Sequence, residues 1–410
     1  MRTGSPADVL RSLKAGQRVY IQGGPGECAA FYHLLKENPG YAHGVEFWSC
    51  LVPGINTFDY GFLPGDIRFT TFMASPAIEP SIAAGRTTLM AMPYSEIGEL
   101  LAQTEFDIAI FQTSAMDAKG QYSFAHSCDM PPVVWPMAER RIAFVNEQMR
   151  SLPCAESMPA EAVDLTIPIN EPLLSPTSGG RRSAAVDKIA RLVAELVPDG
   201  ATFQAGIGDT PAAIVSALRL HRGLRVHSGI ITQEYQQLAE SGALDAAAEH
   251  VTGIAWGDAA FRSWLPQSGF VFRSVVETHG HDELAAIPGF VSIGSALEVD
   301  LAGNLNLEWR AGRRVSSVGG APDYLRAAAA SAGGRAIIAL QAASGSGGSR
   351  IVPSLKAPSI SGELADIVVT EHGVASIKGL SGDDRAKALI AIAAPEHRAF
   401  LEDARRRGST

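Results

Sequence analysis

The sequence predicts an α/β chain built from two similar tandem domains with largely parallel sheets. Three observations carry this. Short apolar, β-rich runs alternate with helix-like segments along the chain. A set of glycine landmarks occurs twice at nearly equal spacing. At 410 residues, the chain is longer than one ordinary hydrophobic core.

The strand expectations, in order, are 18–24, 106–113, 141–147, 202–208, 290–299, 336–342 and 366–371. Helices are expected at 26–36, 94–104, 184–196, 210–220, 232–242, 321–333 and 383–393. The repeat refines this pattern. GQRVYIQGGPG opens at Gly16 and GATFQAGIG opens at Gly200, each a turn, a strand and a glycine-rich loop before a helix. Downstream, one strand leads to DAKG (117–120) and another to DLAG (300–303). Gly16 to Gly120 spans 104 positions and Gly200 to Gly303 spans 103. The D-x-x-G turns read as hairpin connections in which glycine supplies the positive φ. Proline, serine and glycine cluster at 171–184, as in a linker. The expected division is therefore 1–175 and 176–410. Two-domain α/β chains commonly bind ligands at the carboxyl ends of their strands.

Composition narrows the function classes. Hydrophobic residues make up 46% and charged residues 19%, as in globular chains. A formal charge of -9 gives no electrostatic footprint for nucleic acid. Cys28, Cys50, Cys128 and Cys154 form no CxxC pair and read as free thiols in a reducing compartment. The first residues, MRTGSPADVLRSLKAGQ, lack the apolar centre of a signal peptide. No apolar run approaches the roughly 20 residues of a membrane span. The expectation is a soluble, cytoplasmic protein.

Several local motifs leave alternatives open. Gly206-Ile207-Gly208 follows a strand and precedes a helix, so its amides could hold phosphate or carboxylate, or simply form a turn. Pro211 fits the first helical turn, with Asp209 or Thr210 as cap. The loop is not GxGxxG, which argues against a dinucleotide. Ser344–Arg350 is glycine-rich and ends in a cation, but lacks the lysine and spacing of a P-loop. His279 and His281 stand two apart beside Asp282, yet no further His or Cys cluster completes a metal site. Glu277 ends a strand-like run, 270–276. From residue chemistry it is a solvated strand end, a ligand or a nucleophile.

The following residues carry a resemblance. VSIGSALEVDLAGNLN (291–306), SSVGGAPDYLR (316–326), SRIVP (349–353), VVTEHGVASIKG (368–379) and PEHR (395–398) occur in order. DAKGQYS (117–123), Val145-Asn146, the Gly206–Gly208 loop and Val226-His227-Ser228 match more loosely. Together they resemble the acetyl-CoA hydrolase/CoA-transferase family, which includes acetate, succinate, butyrate and 4-hydroxybutyrate CoA-transferases. The resemblance covers essentially the whole chain. It implies two CoA-transferase domains of the NagB/RpiA-like type, with Glu277 as nucleophile in the second.

By resemblance, Gly373 supplies a backbone oxyanion donor, although the same glycine could serve a helix-start turn. Gly319 and Gly320 then shape the pocket wall, and Gly206, Gly208 and Arg350 meet the CoA phosphates. His279, Asp282 and Glu283 become loop residues. Coenzyme A is a substrate, and no permanently bound cofactor or metal is implied. The partners implied are acyl-CoA, small carboxylates and a second copy of the chain, without nucleic acid or membrane. Three departures stand out: Gly294 replaces the asparagine of SINSA, opening space; Lys378 replaces the arginine of LRG; and the N-P-x-M-P-R segment is Asn146-Glu-Gln-Met-Arg-Ser. The resemblance thus implies a reaction rather than one substrate. The expected activity is CoA transfer through a glutamyl-CoA thioester. The alternatives are acyl-CoA hydrolysis by the same glutamate and a non-catalytic ligand sensor on this fold.

Overall fold

A computed structural model describes residues 2–154, 156–176 and 182–408. The chain forms two compact units. The first comprises Met1–Thr177, Val251–Thr278 and Val315–Gly319. The second comprises Ser178–His250, His279–Arg314 and Gly320–Thr410. Grouping by contact thus differs from the contiguous cut expected after residue 175, and Glu277 belongs to the first unit. The Pro/Ser/Gly segment expected as a linker falls partly on 177–181, outside the described residues.

In the first unit an all-parallel sheet runs in the order Arg2–Thr3, Leu165–Ile169, Ala138–Asn146, Phe106–Thr113, Arg18–Ile21, Glu46–Ser49, Arg68–Thr71, Thr87–Leu89. Phe106–Thr113 is buried at every position but Asp107. That is why it reads as a continuous apolar run: a central parallel strand is covered on both faces. Phe31, Phe47, Tyr60, Phe69 and Phe144 fill the core on one side. Each such side chain contributes about 1.5–3 kcal/mol through removal from water.

The second unit contains the order Ile367–Thr370, Arg335–Ala339, Val291–Ser295, Thr202–Ala205, Arg225–Thr232, again parallel where register is defined. It is the order of the first sheet from Leu165–Ile169 to Glu46–Ser49. Helix Ala184–Ala194 packs in this unit; the Ser183 hydroxyl accepts from the Val186 N–H, and Val186, Ile189, Ala190 and Val193 form its buried stripe. The repeat read from spacing is therefore a repeat of architecture.

The two D-x-x-G turns confirm it in detail. Asp117 Oδ1 accepts from the N–H groups of Lys119 and Gln121, and Gly120 has φ of 76°. Asp300 Oδ1 accepts from Ala302 and Asn304, and Gly303 has φ of 86°. Aspartate closes the turn and glycine takes the left-handed conformation.

Other expectations need correction. The helix after the Gly206–Gly208 loop runs Asp209–Ala217 and is capped by Gly208, with no capping bond from Asp209 or Thr210. Pro211 does lie in the first turn. The strand expected through 276 ends at Phe272, because the next residues form a helical turn, Val275–Thr278. His281–Ala285 is a short helix, so Asp282 and Glu283 are helical rather than loop residues. Short strands such as Glu46–Ser49 and Arg68–Thr71 carry too few residues to show a period. No helix among the described residues is long and apolar enough to cross a membrane. None of the four cysteines is in a disulfide; Cys154 is half-buried and the others are buried.

Candidate active site

The segment carrying Glu277 is fixed by its backbone. The Phe272 N–H donates to the Pro153 carbonyl, Arg273 to Thr252 and Val275 to Asp129, each at 2.8 Å. The Ser274 carbonyl then accepts from the N–H groups of Glu277 and Thr278, at 3.2 and 3.0 Å, and from the Thr278 hydroxyl at 3.0 Å. This closes the helical turn. Asp129 is itself held, since Tyr94 Oη donates to its Oδ2 at 2.5 Å. Burial pushes the Asp129 carboxyl above the usual carboxylate range. Gly98, in helix Tyr94–Leu101, lets Val275 approach closely: a Cβ there would lie 2.4 Å from Val275 Cγ1.

The Glu277 side chain is 32% exposed, and Arg273 Nη1 stands 3.4 Å from its Oε1. That i,i+4 pairing exists because residues 275–278 are helical. A strand reading puts the two side chains on one face but not one turn apart, so Arg273 escaped notice as a partner. Glu156 lies in the same electrostatic neighbourhood: burial, then the Glu277 charge, raises its carboxyl above the ordinary value. Asp129, Gly98 and Glu156 were also missed. They are distant in sequence and carry no motif.

Gly319 lies in the same unit, with φ of 54°, and its carbonyl accepts from the Tyr94 N–H at 3.0 Å. The chain passes from the first unit to the second between Gly319 and Gly320.

The remaining candidates belong to the second unit. Gly206 follows strand Thr202–Ala205, and its N–H donates to the Ile293 carbonyl at 3.0 Å. The loop therefore sits where strand order reverses between Thr202–Ala205 and Val291–Ser295, the usual ligand position in open α/β sheets. Gly208 has φ of 114° and nothing within 4 Å of a would-be Cβ. Gly320 packs under His279: a Cβ there would fall 2.5 Å from His279 Nε2. His279 is buried, with its ring 4.8 Å from that of Tyr324. Burial, then His227, lowers its pKa to about 3, so it is a neutral packed imidazole. Among the described residues no group of three or more His, Cys, Asp and Glu could hold a metal.

Arg350 lines a cavity of about 410 Å3 with Glu298, Trp309, Arg310 and Ser344. Burial, then Arg310, lowers its pKa, while Glu371 and Glu298 oppose that shift. The lining includes neither Gly206 nor Gly208. Gly373 lies in a hairpin, not a helix start: Ile367–Thr370 pairs antiparallel with Gly373–Ser376, placing Thr370 opposite Gly373. Its φ of 147° suits glycine. Of the departures, Lys378 pairs with Asp366 at 3.1 Å. Gly294 does not open free space, because Ile338 Cδ1 lies 3.3 Å from a would-be Cβ.

Comparison with known proteins accords with this scaffold. Residues 2–191 match the acetyl-CoA hydrolase/transferase N-terminal domain, and residues 257–405 the C-terminal domain. The chain is 30% identical to the butyryl-CoA:acetate CoA-transferase of Anaerostipes caccae over 71% of this chain and 70% of that one. It is 29% identical to the acetyl-CoA hydrolase of Saccharomyces cerevisiae over 53% of this chain and 41% of that one. A solved 4-hydroxybutyrate CoA-transferase from Porphyromonas gingivalis superposes with a TM-score of 0.81 at 27% identity, covering 99% and 98% of the two chains. Two matched domains in sequence order, a relative at 30% identity and the duplicated parallel fold lead to one assignment: the chain belongs to the acetyl-CoA hydrolase/transferase family.

Proposed function

We propose that the protein transfers CoA between a short-chain acyl-CoA and a carboxylic acid, with Glu277 as the covalent nucleophile. The observation that carries this reading is the Glu277 carboxylate itself: partly exposed, beside Arg273, on a turn held by Pro153, Thr252 and Asp129. A nucleophile needs such a fixed, accessible oxygen.

Glu277 Oε attacks the thioester carbonyl, the C–S bond breaks, and CoA leaves as thiolate. The product is a mixed anhydride. The thiolate then attacks the glutamyl carbonyl and expels the original acid as carboxylate, leaving a glutamyl-CoA thioester. An incoming carboxylate attacks that thioester and expels the thiolate, which attacks the new acyl carbonyl and frees Glu277. Each step exchanges one activated acyl bond for another, so thioester energy is conserved. Arg273 orients the attacking oxygen. The Gly373 N–H serves as an oxyanion donor. Gly319 and Gly320 form pocket wall, and Gly206, Gly208 and Arg350 take the CoA phosphates.

Hydrolysis is the second reading. It is favoured by the exposure of Glu277 and by a relative named as an acetyl-CoA hydrolase. Water instead of a carboxylate would then attack the intermediate. Wild type and Glu277→Ala are incubated with acetyl-CoA or succinyl-CoA, with and without short carboxylic acids, and products are read by mass spectrometry. New acyl-CoA that needs both the acid and Glu277 supports transfer. Free CoA released regardless of acid supports hydrolysis. Full exchange by Glu277→Ala removes Glu277 as the nucleophile and moves the chemistry elsewhere, whereas wild type that neither exchanges nor releases CoA leaves the sensor reading.

A further inference from the structure

Helix Tyr94–Leu101 meets the Glu277 turn twice from one face. Its residues Tyr94 and Gly98 stand one helical turn apart. Gly98 lies directly against Val275, whose Cγ1 would be 2.4 Å from a Cβ at that glycine. Tyr94 reaches the same valine through one intermediary. Its Oη donates to Asp129 Oδ2 at 2.5 Å, and the Asp129 carbonyl accepts from the Val275 N–H at 2.8 Å. Tyr94 is 6% exposed and Asp129 4%, so water has little access to this bond. Its length is that of a hydroxyl donating to a carboxylate, the stronger kind of hydrogen bond.

The chain around Asp129 is anchored as well. Ser127 bridges Ile254, and the Cys128 N–H donates to the Gly253 carbonyl at 2.9 Å. Ser127 Oγ stands 3.5 Å from Asp129 Oδ1, a much longer contact than the one with Tyr94. Tyr94 thus supplies the short bond that sets where the Asp129 side chain lies. The main chain of Tyr94 makes a second tie. Tyr94 is the first residue of its helix, so its N–H has no partner within the helix. It donates to the Gly319 carbonyl at 3.0 Å. Segment 315–319 is held in turn by Ser317 Oγ, which accepts from the Ala74 N–H at 2.9 Å. One residue therefore joins the Glu277 turn to the Gly319 segment, through its side chain on one side and its backbone on the other. Thr278 and Gly319 are each the last residue of the first unit before the chain enters the second.

We propose that Tyr94 is a positioning residue for CoA transfer: its hydroxyl, through Asp129, sets the Glu277 carboxylate relative to the pocket wall at Gly319. This role rests on Glu277 being the nucleophile. Tyr94→Phe removes the hydroxyl but keeps the ring and the N–H to Gly319. It should displace the attacking oxygen and leave acyl-CoA binding intact. The expected result is a kcat for exchange about tenfold lower, with KM for acyl-CoA within about twofold of wild type. The first half-reaction separates displacement from damage. Acyl-CoA is mixed with full-length protein without acceptor acid, and the glutamyl-CoA adduct is followed by mass spectrometry. A displaced carboxylate slows adduct formation and leaves the fraction of chains that form it unchanged, whereas partial unfolding lowers that fraction. Asp129→Asn keeps an acceptor for the hydroxyl and should hold kcat within about twofold, while Asp129→Ala should lose about tenfold. This pair decides the case by itself if Tyr94→Phe does not fold. The proposal is overturned by wild-type kcat in Tyr94→Phe, by a loss carried by KM, by a loss that follows the adduct-forming fraction alone, or by Asp129→Asn as slow as Asp129→Ala. Glu277→Ala in the same assay tells two failures apart. An inactive Glu277→Ala beside a fully active Tyr94→Phe removes only the role of Tyr94. A fully active Glu277→Ala removes the nucleophile, and the role of Tyr94 with it.

Discussion

Strand Arg18–Ile21 and strand Thr202–Ala205 hold the same place in two sheets of the same order, yet the loops after them differ in kind. Both loops begin alike: Gln22 donates to the Ile110 carbonyl and Gly206 to that of Ile293, each at 3.0 Å. The first loop is then closed by its own side chains. Gln22 Nε2 donates to the Ser127 carbonyl, and Asn56 bonds Gly24 through both its oxygen and its nitrogen and also reaches Glu27. Glu27 is buried. The second loop stays open: Ile207 is exposed and Gly208 has no near neighbour. Duplication supplies one scaffold twice. Loop chemistry decides whether its switch point is filled from within or kept for a ligand.

The largest expected effect falls on the unit that carries Glu277. Glu277→Ala should lower CoA exchange by on the order of 10^3-fold or more. Glu277→Asp should lower it about 10^2-fold, because a missing methylene withdraws the attacking oxygen. Initial rates of acyl-CoA formation check both, and a fully active Ala variant would move the chemistry elsewhere.

The closed loop makes a pH-dependent prediction. Burial raises the Glu27 pKa from the ordinary 4.5 to about 8, against the opposing Asn56 hydrogen bond. Between those values the unfolded chain loses the proton and the folded chain keeps it. Stability therefore falls as pH rises from about 4.5 to about 8, and levels off above. Glu27→Gln removes this contribution and should exceed wild type at pH 8 by a few kcal/mol. Denaturation midpoints at pH 5 and pH 8 test the sign; a gap that does not widen with pH would contradict it.

The matched turns test how far the two repeats are energetically alike. Asp300 is buried and also accepts from Asn304 Nδ2 and the Leu355 N–H, beyond the two amides that both turns share. Asp300→Ala should cost about 3 kcal/mol and Asp117→Ala about 1 kcal/mol, read from urea unfolding. Equal losses would mean that burial adds nothing at the second turn. An effect between those two is expected at Gly98. Gly98→Ala overpacks Val275 and should cost about 1–2 kcal/mol, with a fall in kcat as the Glu277 turn shifts. Loss of stability without loss of kcat would show that the turn tolerates the displacement.

Legibility followed the range of the interactions. Strand 106–113 was read to the residue because burial on both faces leaves a continuous apolar run. Helices at 184–196 and 321–333 were legible as helix-like segments, and their ends shifted by a few residues at most. The Glu277 turn was misread because Phe270-Val271-Phe272 and Val275-Val276 look like one β-branched and aromatic run. Val275 is instead held by Asp129, which is far away in sequence.

The sequence by itself determined the α/β class, the duplication, and the aspartate–glycine turns, because these depend on side-chain period and local φ preferences within a few residues. Tertiary structure alone decided that 251–278 joins the first unit and that the Glu277 carboxylate stands beside Arg273. Those arrangements depend on contacts between segments tens to hundreds of residues apart. Neither local conformation nor hydrophobic period records which distant backbone group a residue will meet.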